Sequence, residues 1–465
     1  MNKPATPVPF GANAPSIALP LAFVLTGLLA LATGTGWIVA RPALLATYHY
    51  NQHVIAATHL FVLGWICTIV MGAMYQLVPV ALETKLHSER LAWVQFAFHV
   101  VGFTGMVWMF RKWNMTHVGH FGAVLATGVG LFVYNLGRTL RRVPKWNVTA
   151  TAVTAALVWI SLTILAGLSL ATAKCVFASE PGNATLGPLL RALQALARGV
   201  GHFDPISAMH AHAHLGGVGC FTMLIVGVSY KLIPMFTLSE VQRPRRAALS
   251  VALLNLGLAA AFVTILLRSP WKLLSALLVI AALGLYGWEL AAILRARKRR
   301  TLDWGLKYFL TAVALLGPLA ALAIVLSWPG LPLNALTGQL ENAYGFLGLL
   351  GVVTLAIMGM LYKIIPFLVW FGRYSRQVGR AQVPALADLY SARLQAAGYW
   401  SYLAGLLVTM GAIVAASEMA VRVGGSLLAL GVLTLLANVA VMLSHFFKPR
   451  VKPFALATQP LPKPA

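Results

Sequence analysis

Histidines carry the clearest chemical signal in this sequence. The run HAHAH contains His210, His212 and His214 at the start of one long apolar segment, and His53 and His59 lie near the start of another. Ionisable side chains are costly in apolar surroundings and are usually kept there for a function. Since neutral imidazole binds haem iron, copper and zinc, these five residues predict a haem or metal site.

Helical spacing divides these histidines between two roles. His210 and His214 are one turn apart on one face, so both can bind a single metal ion. His212 diverges from His214 by about 200°, and His53 and His59 also point to different faces. One helix can thus offer ligands to two cofactors. We predict cofactor-binding roles for His59, His212 and His214, and metal-binding roles for His53, His210 and His214.

Other ionisable residues have two interpretations each. Histidines near the predicted membrane surface are either ligands or wetted polar residues: His49, His117, His120 and His202. His99 and His445 are expected to hydrogen-bond to neighbouring helices rather than to bind metal. Acids within or beside apolar segments either relay protons or form interhelical hydrogen bonds: Glu289, Glu341 and Asp204.

The two histidine-bearing segments are copies of one helix, and a third copy lacks the histidine. The copies read HLFVLGWICTIVMGAMYQLVP (59–79), HLGGVGCFTMLIVGVSYKLIP (214–234) and FLGLLGVVTLAIMGMLYKIIP (346–366). Two glycines and a tyrosine recur at fixed distances: Gly64, Gly219 and Gly351; Gly72, Gly227 and Gly359; Tyr75, Tyr230 and Tyr362. A repeat of this length predicts related units about a common axis, in which these residues set helix packing.

Composition places these helices in a membrane. The chain has 465 residues, of which 59% are hydrophobic and 10% charged, and its mean hydropathy is +0.81. These values exclude an ordinary soluble globular protein. Apolar stretches long enough to cross a bilayer predict an all-α integral membrane protein with twelve spans, near 16–40, 52–80, 91–110, 117–137, 149–173, 206–236, 246–268, 271–295, 305–328, 338–371, 395–417 and 424–446.

Lysine and arginine predict the orientation of the spans. They concentrate in the tails and in the connectors after even-numbered spans, for example at 138–145 and 295–300. By the positive-inside rule both termini are cytoplasmic, which places the histidines on the periplasmic side of a bacterial inner membrane. This distribution accounts for the net charge of +25, so we expect the lipid bilayer rather than nucleic acid as partner. The Pro-rich tail, 448–465, is expected to be disordered.

The plan of twelve spans, cytoplasmic termini and repeated helices at spans two, six and ten resembles subunit I of the haem-copper oxidase superfamily. That superfamily includes cytochrome c oxidases, nitric oxide reductases and reduced NnrS-type relatives. The resemblance implies one transmembrane domain over 1–465, in a pseudo-threefold arrangement of four-helix units near 16–145, 146–303 and 304–447. It also implies that His59 is a haem ligand and that one of His210, His212 or His214 is a copper ligand.

The sequence departs from the catalytic members of this superfamily at two spans. Span seven contains no histidine, and span ten has Asn342, Tyr344 and Phe346 where haem ligands stand in those members. We therefore expect no complete oxygen-reducing centre. The sequence also gives no indication of covalently attached haem, because it contains no CxxCH motif.

Two functions follow as hypotheses. In the first, the protein binds haem b, copper or both, and acts in electron transfer, nitric oxide handling or metal homeostasis, with other membrane or periplasmic redox proteins as partners. It would then be related to oxidoreductases such as cytochrome c oxidase. In the second, it is a transporter or copper-delivery protein on the same scaffold. A third, structural role leaves the histidines paired among themselves.

Overall fold

Twelve long apolar helices make up most of the part of the chain that the structure describes. The computed structural model describes residues 15–178, 199 and 201–451. In order, α1 to α12 are Ala18–Ala40, Gln52–Ala81, Glu89–Lys112, Met115–Leu140, Val148–Lys174, Pro205–Thr237, Pro244–Leu266, Lys272–Arg295, Trp304–Ser327, Ala335–Arg373, Ala392–Val414 and Glu418–Phe447. The prediction of an all-α, twelve-span membrane protein is confirmed. Most of the predicted tail, 452–465, lies outside the described residues.

The three repeated helices are α2, α6 and α10, and each begins with an Asx cap. The side chain of Asn51 accepts hydrogen bonds from the N–H groups of His53 and Val54 at 3.0 Å. Asp204 caps α6 and Asn334 caps α10 in the same way. Such caps satisfy N–H groups that have no partner in the first turn. We call the end of the bundle at which these three helices begin the histidine end.

Each repeated helix widens into a π-helix at the same place. The π segments are Leu60–Cys67, Leu215–Thr222 and Leu347–Val353, so each starts one residue after His59, His214 or Phe346. A threonine near the end of each segment donates to the carbonyl five residues earlier, at 2.8–2.9 Å. π-Helical turns are rare and occur frequently at functional sites. Their recurrence indicates a functional importance of the position that precedes each one, which His59, His214 and Phe346 occupy.

Within each group of four helices, the first packs closely against the second. The second conserved glycine of the repeat makes this approach possible. A Cβ at Gly72 would overlap Phe23 of α1, one at Gly227 would overlap Ala152 of α5, and one at Gly359 would overlap backbone of α9. The same contact therefore occurs three times and orients the repeated helices alike.

The third and fourth helices of each group are joined by a polar side chain of the fourth helix. Asn135 on α4 accepts from the Ser88 N–H at 3.0 Å and donates to the Ser88 carbonyl at 2.7 Å. Asn438 on α12 makes the same pair of hydrogen bonds to Ser391, both at 2.9 Å. Glu289 takes this place on α8, where it accepts from the Gln242 N–H at 2.6 Å. Glu289 is thus an interhelical hydrogen-bonding residue.

The repeated helices meet at the centre of the molecule. The indole of Trp65 on α2 donates to the Thr354 hydroxyl on α10 at 3.0 Å. Beyond the π segments, α2, α6 and α10 enclose a cavity of about 90 Å³, and among the described residues that line it only Ser229 is polar. The space that these three helices surround is therefore apolar, whereas the histidines of α2 and α6 lie at the histidine end.

Candidate haem and metal site

His59 is held in one tautomer by its own helix. Its Nδ1–H donates to the carbonyl of Ile55 at 2.7 Å, because the side chain lies directly above that group one turn earlier. The imidazole packs against Phe110 of α3, with ring centroids 4.6 Å apart. An Nδ1–H bond to a carbonyl leaves Nε2 as the ligating nitrogen and fixes the ring orientation.

His214, at the equivalent position of α6, makes the same bond. Its Nδ1–H donates to the carbonyl of His210 at 2.8 Å. Its Nε2 lies 3.3 Å from the hydroxyl of Tyr344 on α10, and the two rings stack with centroids 5.8 Å apart. The repeat therefore prepares two imidazoles in the same way, but that of His214 has a hydrogen-bond partner at its second nitrogen.

His212 points from α6 toward α5. Its Cε1 lies where a Cβ of Gly167 would be, 2.9 Å from the position built for that atom. The buried Nδ1 of His212 has no hydrogen-bond partner, and an electrostatic interaction links its imidazole to His59. An unpaired nitrogen in such a place is costly unless a ligand satisfies it.

A second group joins three separate parts of the chain. His49, in the connector between α1 and α2, has its Nε2 3.0 Å from Nε2 of His210 on α6. Its Nδ1 lies 3.9 Å from a carboxylate oxygen of Glu341 on α10. The three side chains each offer one ligand atom within 4.8 Å of the others, and each is half-buried. Two imidazoles and a carboxylate are donors that suit a transition metal ion.

Polar residues of α10 fasten the connector that carries His49. Gln339 donates to the carbonyl of Ala46 at 3.0 Å, and Asn342 donates to that of Thr47 at 2.6 Å. Burial lowers the pKa of His49 below its ordinary range. A neutral imidazole at physiological pH is the form that ligates metals.

His53 lies apart from these groups. It lines a cavity of about 540 Å³ together with Arg41, Tyr50 and Trp113, and its buried Nδ1 has no hydrogen-bond partner. The predicted metal set of His53, His210 and His214 is therefore not brought together as one group. Among the described residues, the cluster of three metal-type donors combines His210 with His49 and Glu341.

The sequence interpretation missed the pairing of His49 and Glu341 with His210. Glu341 was distinguished only as an acid within a span, and His49 only as a residue near the membrane surface. A signal for Glu341 was present, because its neighbour Asn342 aligns with His210 when the repeats are superposed. That alignment places Glu341 at the histidine end of α10.

Two other histidines have structural roles, as predicted. His99 Nε2 lies 2.9 Å from the Thr68 hydroxyl and 3.2 Å from the Leu63 carbonyl. It therefore joins α3 to the π segment of α2. His445 Nδ1 lies 2.7 Å from the Tyr374 hydroxyl, which fixes the end of α12 against the residue that follows α10. These imidazoles stabilise helix packing.

Comparison with known proteins gives the class of this molecule. No family model and no curated protein matches the sequence. The structure is similar to that of a haem-copper terminal oxidase dimer solved by cryo-electron microscopy, with a TM-score of 0.65 and 13% sequence identity over 92% of this chain and 84% of that chain. The protein is a multi-pass membrane protein whose fold is similar to that of a haem-copper terminal oxidase. At this identity the likeness concerns the fold alone.

Proposed function

We propose that this protein binds haem b and copper in the membrane and transfers electrons, with His59 and His212 as the haem ligands. The observation that supports this most directly is the pair itself. His59 has its tautomer fixed by Ile55, and His212 has a buried nitrogen without a partner. Gly167 leaves the space that the His212 imidazole needs. His59 on α2 and His212 on α6 would thus be the residues that hold the haem.

Electron transfer is the role that this ligand set favours. Haem supplies one-electron redox chemistry when bound. Held by His59 and His212, the haem would supply electron transfer rather than a binding place for a substrate such as nitric oxide. No histidine occurs within 244–266 or 335–373. These segments therefore lack the ligands of a complete oxygen-reducing centre in the haem-copper oxidase superfamily, which this sequence resembles. Other membrane or periplasmic redox proteins would then be the electron partners.

Transport of an ion through the bundle is less well supported. Below the histidine end, the cavity between α2, α6 and α10 is lined by apolar side chains, with Ser229 as the exception among the described residues. Charged species are costly in such surroundings. A copper-delivery role remains the second outcome of the experiment below, because the outer histidines provide donors for copper without any haem.

An absorption spectrum of the purified protein tests the haem assignment. We expect a Soret band in protein from haem-replete cells, and we expect His59→Ala and His212→Ala to lose it. His117→Ala is the matched control, because His117 lies exposed at the histidine end and bonds only within its own first turn. Size-exclusion profiles report whether each variant is folded.

Three results would contradict the proposal. A Soret band retained in folded His59→Ala and His212→Ala protein would exclude these residues as ligands. Colourless protein that contains stoichiometric copper would favour copper delivery over electron transfer. Equal loss of the band in His117→Ala would show that the effect is not specific to the pair.

A further inference from the structure

The group formed by His49, His210 and Glu341 has the features of a binding site rather than a surface contact. Its donors come from a connector, from α6 and from α10, so distant parts of the chain converge there. Gln339 and Asn342 hold the connector by two hydrogen bonds to its backbone carbonyls. The position of His49 is therefore set by structure that this group does not itself supply.

One ring nitrogen of the group takes part in no hydrogen bond. The buried Nδ1 of His49 has no hydrogen-bond partner, since the 3.9 Å separation from Glu341 exceeds hydrogen-bond length. The Nε2 atoms of His49 and His210 are 3.0 Å apart. A single proton shared between them forms one hydrogen bond. A cation between these side chains would give the unpaired Nδ1 of His49 a partner.

We propose that His49, His210 and Glu341 bind one divalent transition metal ion, Cu²⁺ being the ion that the donors suit best in the Irving–Williams order. Ligands about 2.0–2.2 Å from a common ion lie roughly 3–4 Å from one another. The three donor atoms lie within 4.8 Å of each other, which is close to that range. Three protein ligands leave further positions open on the ion.

The site is adjacent to the imidazole of His214. The backbone carbonyl of His210 accepts the Nδ1–H of His214 at 2.8 Å, so one residue both ligates the metal and orients a neighbouring imidazole. This inference names the ligands for the copper of the proposed function and rests on that part of it. It does not depend on haem binding, because His59 and His212 are not among its ligands.

Copper titration of the full-length protein tests the site. Detergent-solubilised protein, stripped with a chelator, is titrated with Cu²⁺ and the bound ion is followed by electron paramagnetic resonance and elemental analysis. We expect one tightly bound Cu²⁺ with hyperfine coupling to two nitrogens. His49→Ala should remove one nitrogen coupling, and Glu341→Gln should weaken binding at least about tenfold, as loss of a ligand or its support does.

His53→Ala is the matched control, because His53 follows His49 by four residues but lines a separate cavity. It should leave the copper spectrum and affinity unchanged. If His53→Ala abolished the signal while His49→Ala did not, or if wild-type protein bound no stoichiometric Cu²⁺ and no Zn²⁺ in competition, the inference would be overturned. The Soret band of the same samples reports haem separately, so failure of the copper site and failure of the haem assignment give different results.

Discussion

At the residue scale, the third copy of the repeat has packing and hydrogen-bonding side chains at positions where the second copy has histidines. Three residues of α10 align with three histidines of α6: Asn342, Tyr344 and Phe346 with His210, His212 and His214. Asn342 holds the connector that carries His49. Tyr344 contacts Nε2 of His214, and Phe346 is buried in the core. The side chains of α10 thus position the histidines of the other elements instead of repeating them.

Gly167 provides a test of the haem pair that leaves both imidazoles in place. We expect Gly167→Ala to lower haem affinity about tenfold, the lower end of what loss of a supporting residue costs, because the new Cβ would displace the His212 ring. The ratio of Soret to protein absorbance at limiting haem measures this. Gly137→Ala is the control, since no atom lies within 4 Å of the position of its Cβ. Full haem occupancy in Gly167→Ala would argue against His212 as ligand.

At the scale of elements, the repeat sets the orientation and spacing of the three equivalent helices. The π segments begin at the same residue of each copy, and the second conserved glycine sets the distance to the preceding helix. A change in either would rotate or displace the histidine at the head of the helix. This explains why glycine positions recur even in α10, where no histidine remains.

Gly359→Ala should destabilise the protein by about 1–3 kcal/mol, the usual cost of overpacking, because its Cβ would overlap the backbone of Gly305 and Phe309 on α9. The free energy of unfolding can be measured by denaturant titration in mixed micelles. Gly284→Ala on α8 is the control, since that glycine is exposed and has no atom within 4 Å of its Cβ position. Equal stability of the two variants would refute close packing at Gly359.

Asn135→Ala and Asn438→Ala should each cost about 1–3 kcal/mol, because each leaves the backbone N–H and carbonyl of a serine without their partner. Both asparagines are fully buried. The same unfolding titration applies, with Thr127→Ala as the control, since Thr127 is exposed and bonds only to its own helix. An unchanged midpoint for both asparagine variants would show that these bonds are replaced by water.

At the scale of the whole molecule, orientation in the membrane decides which compartment the histidine end faces. We propose a bacterial inner membrane protein with cytoplasmic termini, because basic residues concentrate in the connectors on that side. The histidine end would then face the periplasm, where soluble redox partners and metal ions have access to it.

Reporter fusions test this orientation. Green fluorescent protein fused after residue 451 should fluoresce, because it folds in the cytoplasm, and alkaline phosphatase fused there should be inactive. Alkaline phosphatase inserted in the connector 328–334, at the histidine end, should be active. The reverse pattern would place the histidines in the cytoplasm and remove periplasmic proteins as partners.

Much of this architecture was predictable from the sequence because the relevant signals are local. Hydropathy specifies twelve spans, and the repeated glycines, tyrosines and prolines identify the three equivalent helices. The positions of the histidines near the first residues of α2 and α6 can be read directly from the sequence. These features depend on composition and helical period within about 20 residues, so no knowledge of neighbouring helices is required.

Only the tertiary structure determined which side chains meet. His212 lies against Gly167 of α5. His210 lies beside His49 and Glu341 because a connector is fastened to α10. Such contacts depend on the rotation and crossing of packed helices, which spacing along one helix cannot specify. The sequence by itself therefore determined the number of helices and the end at which the histidines lie, whereas packing decided their partners.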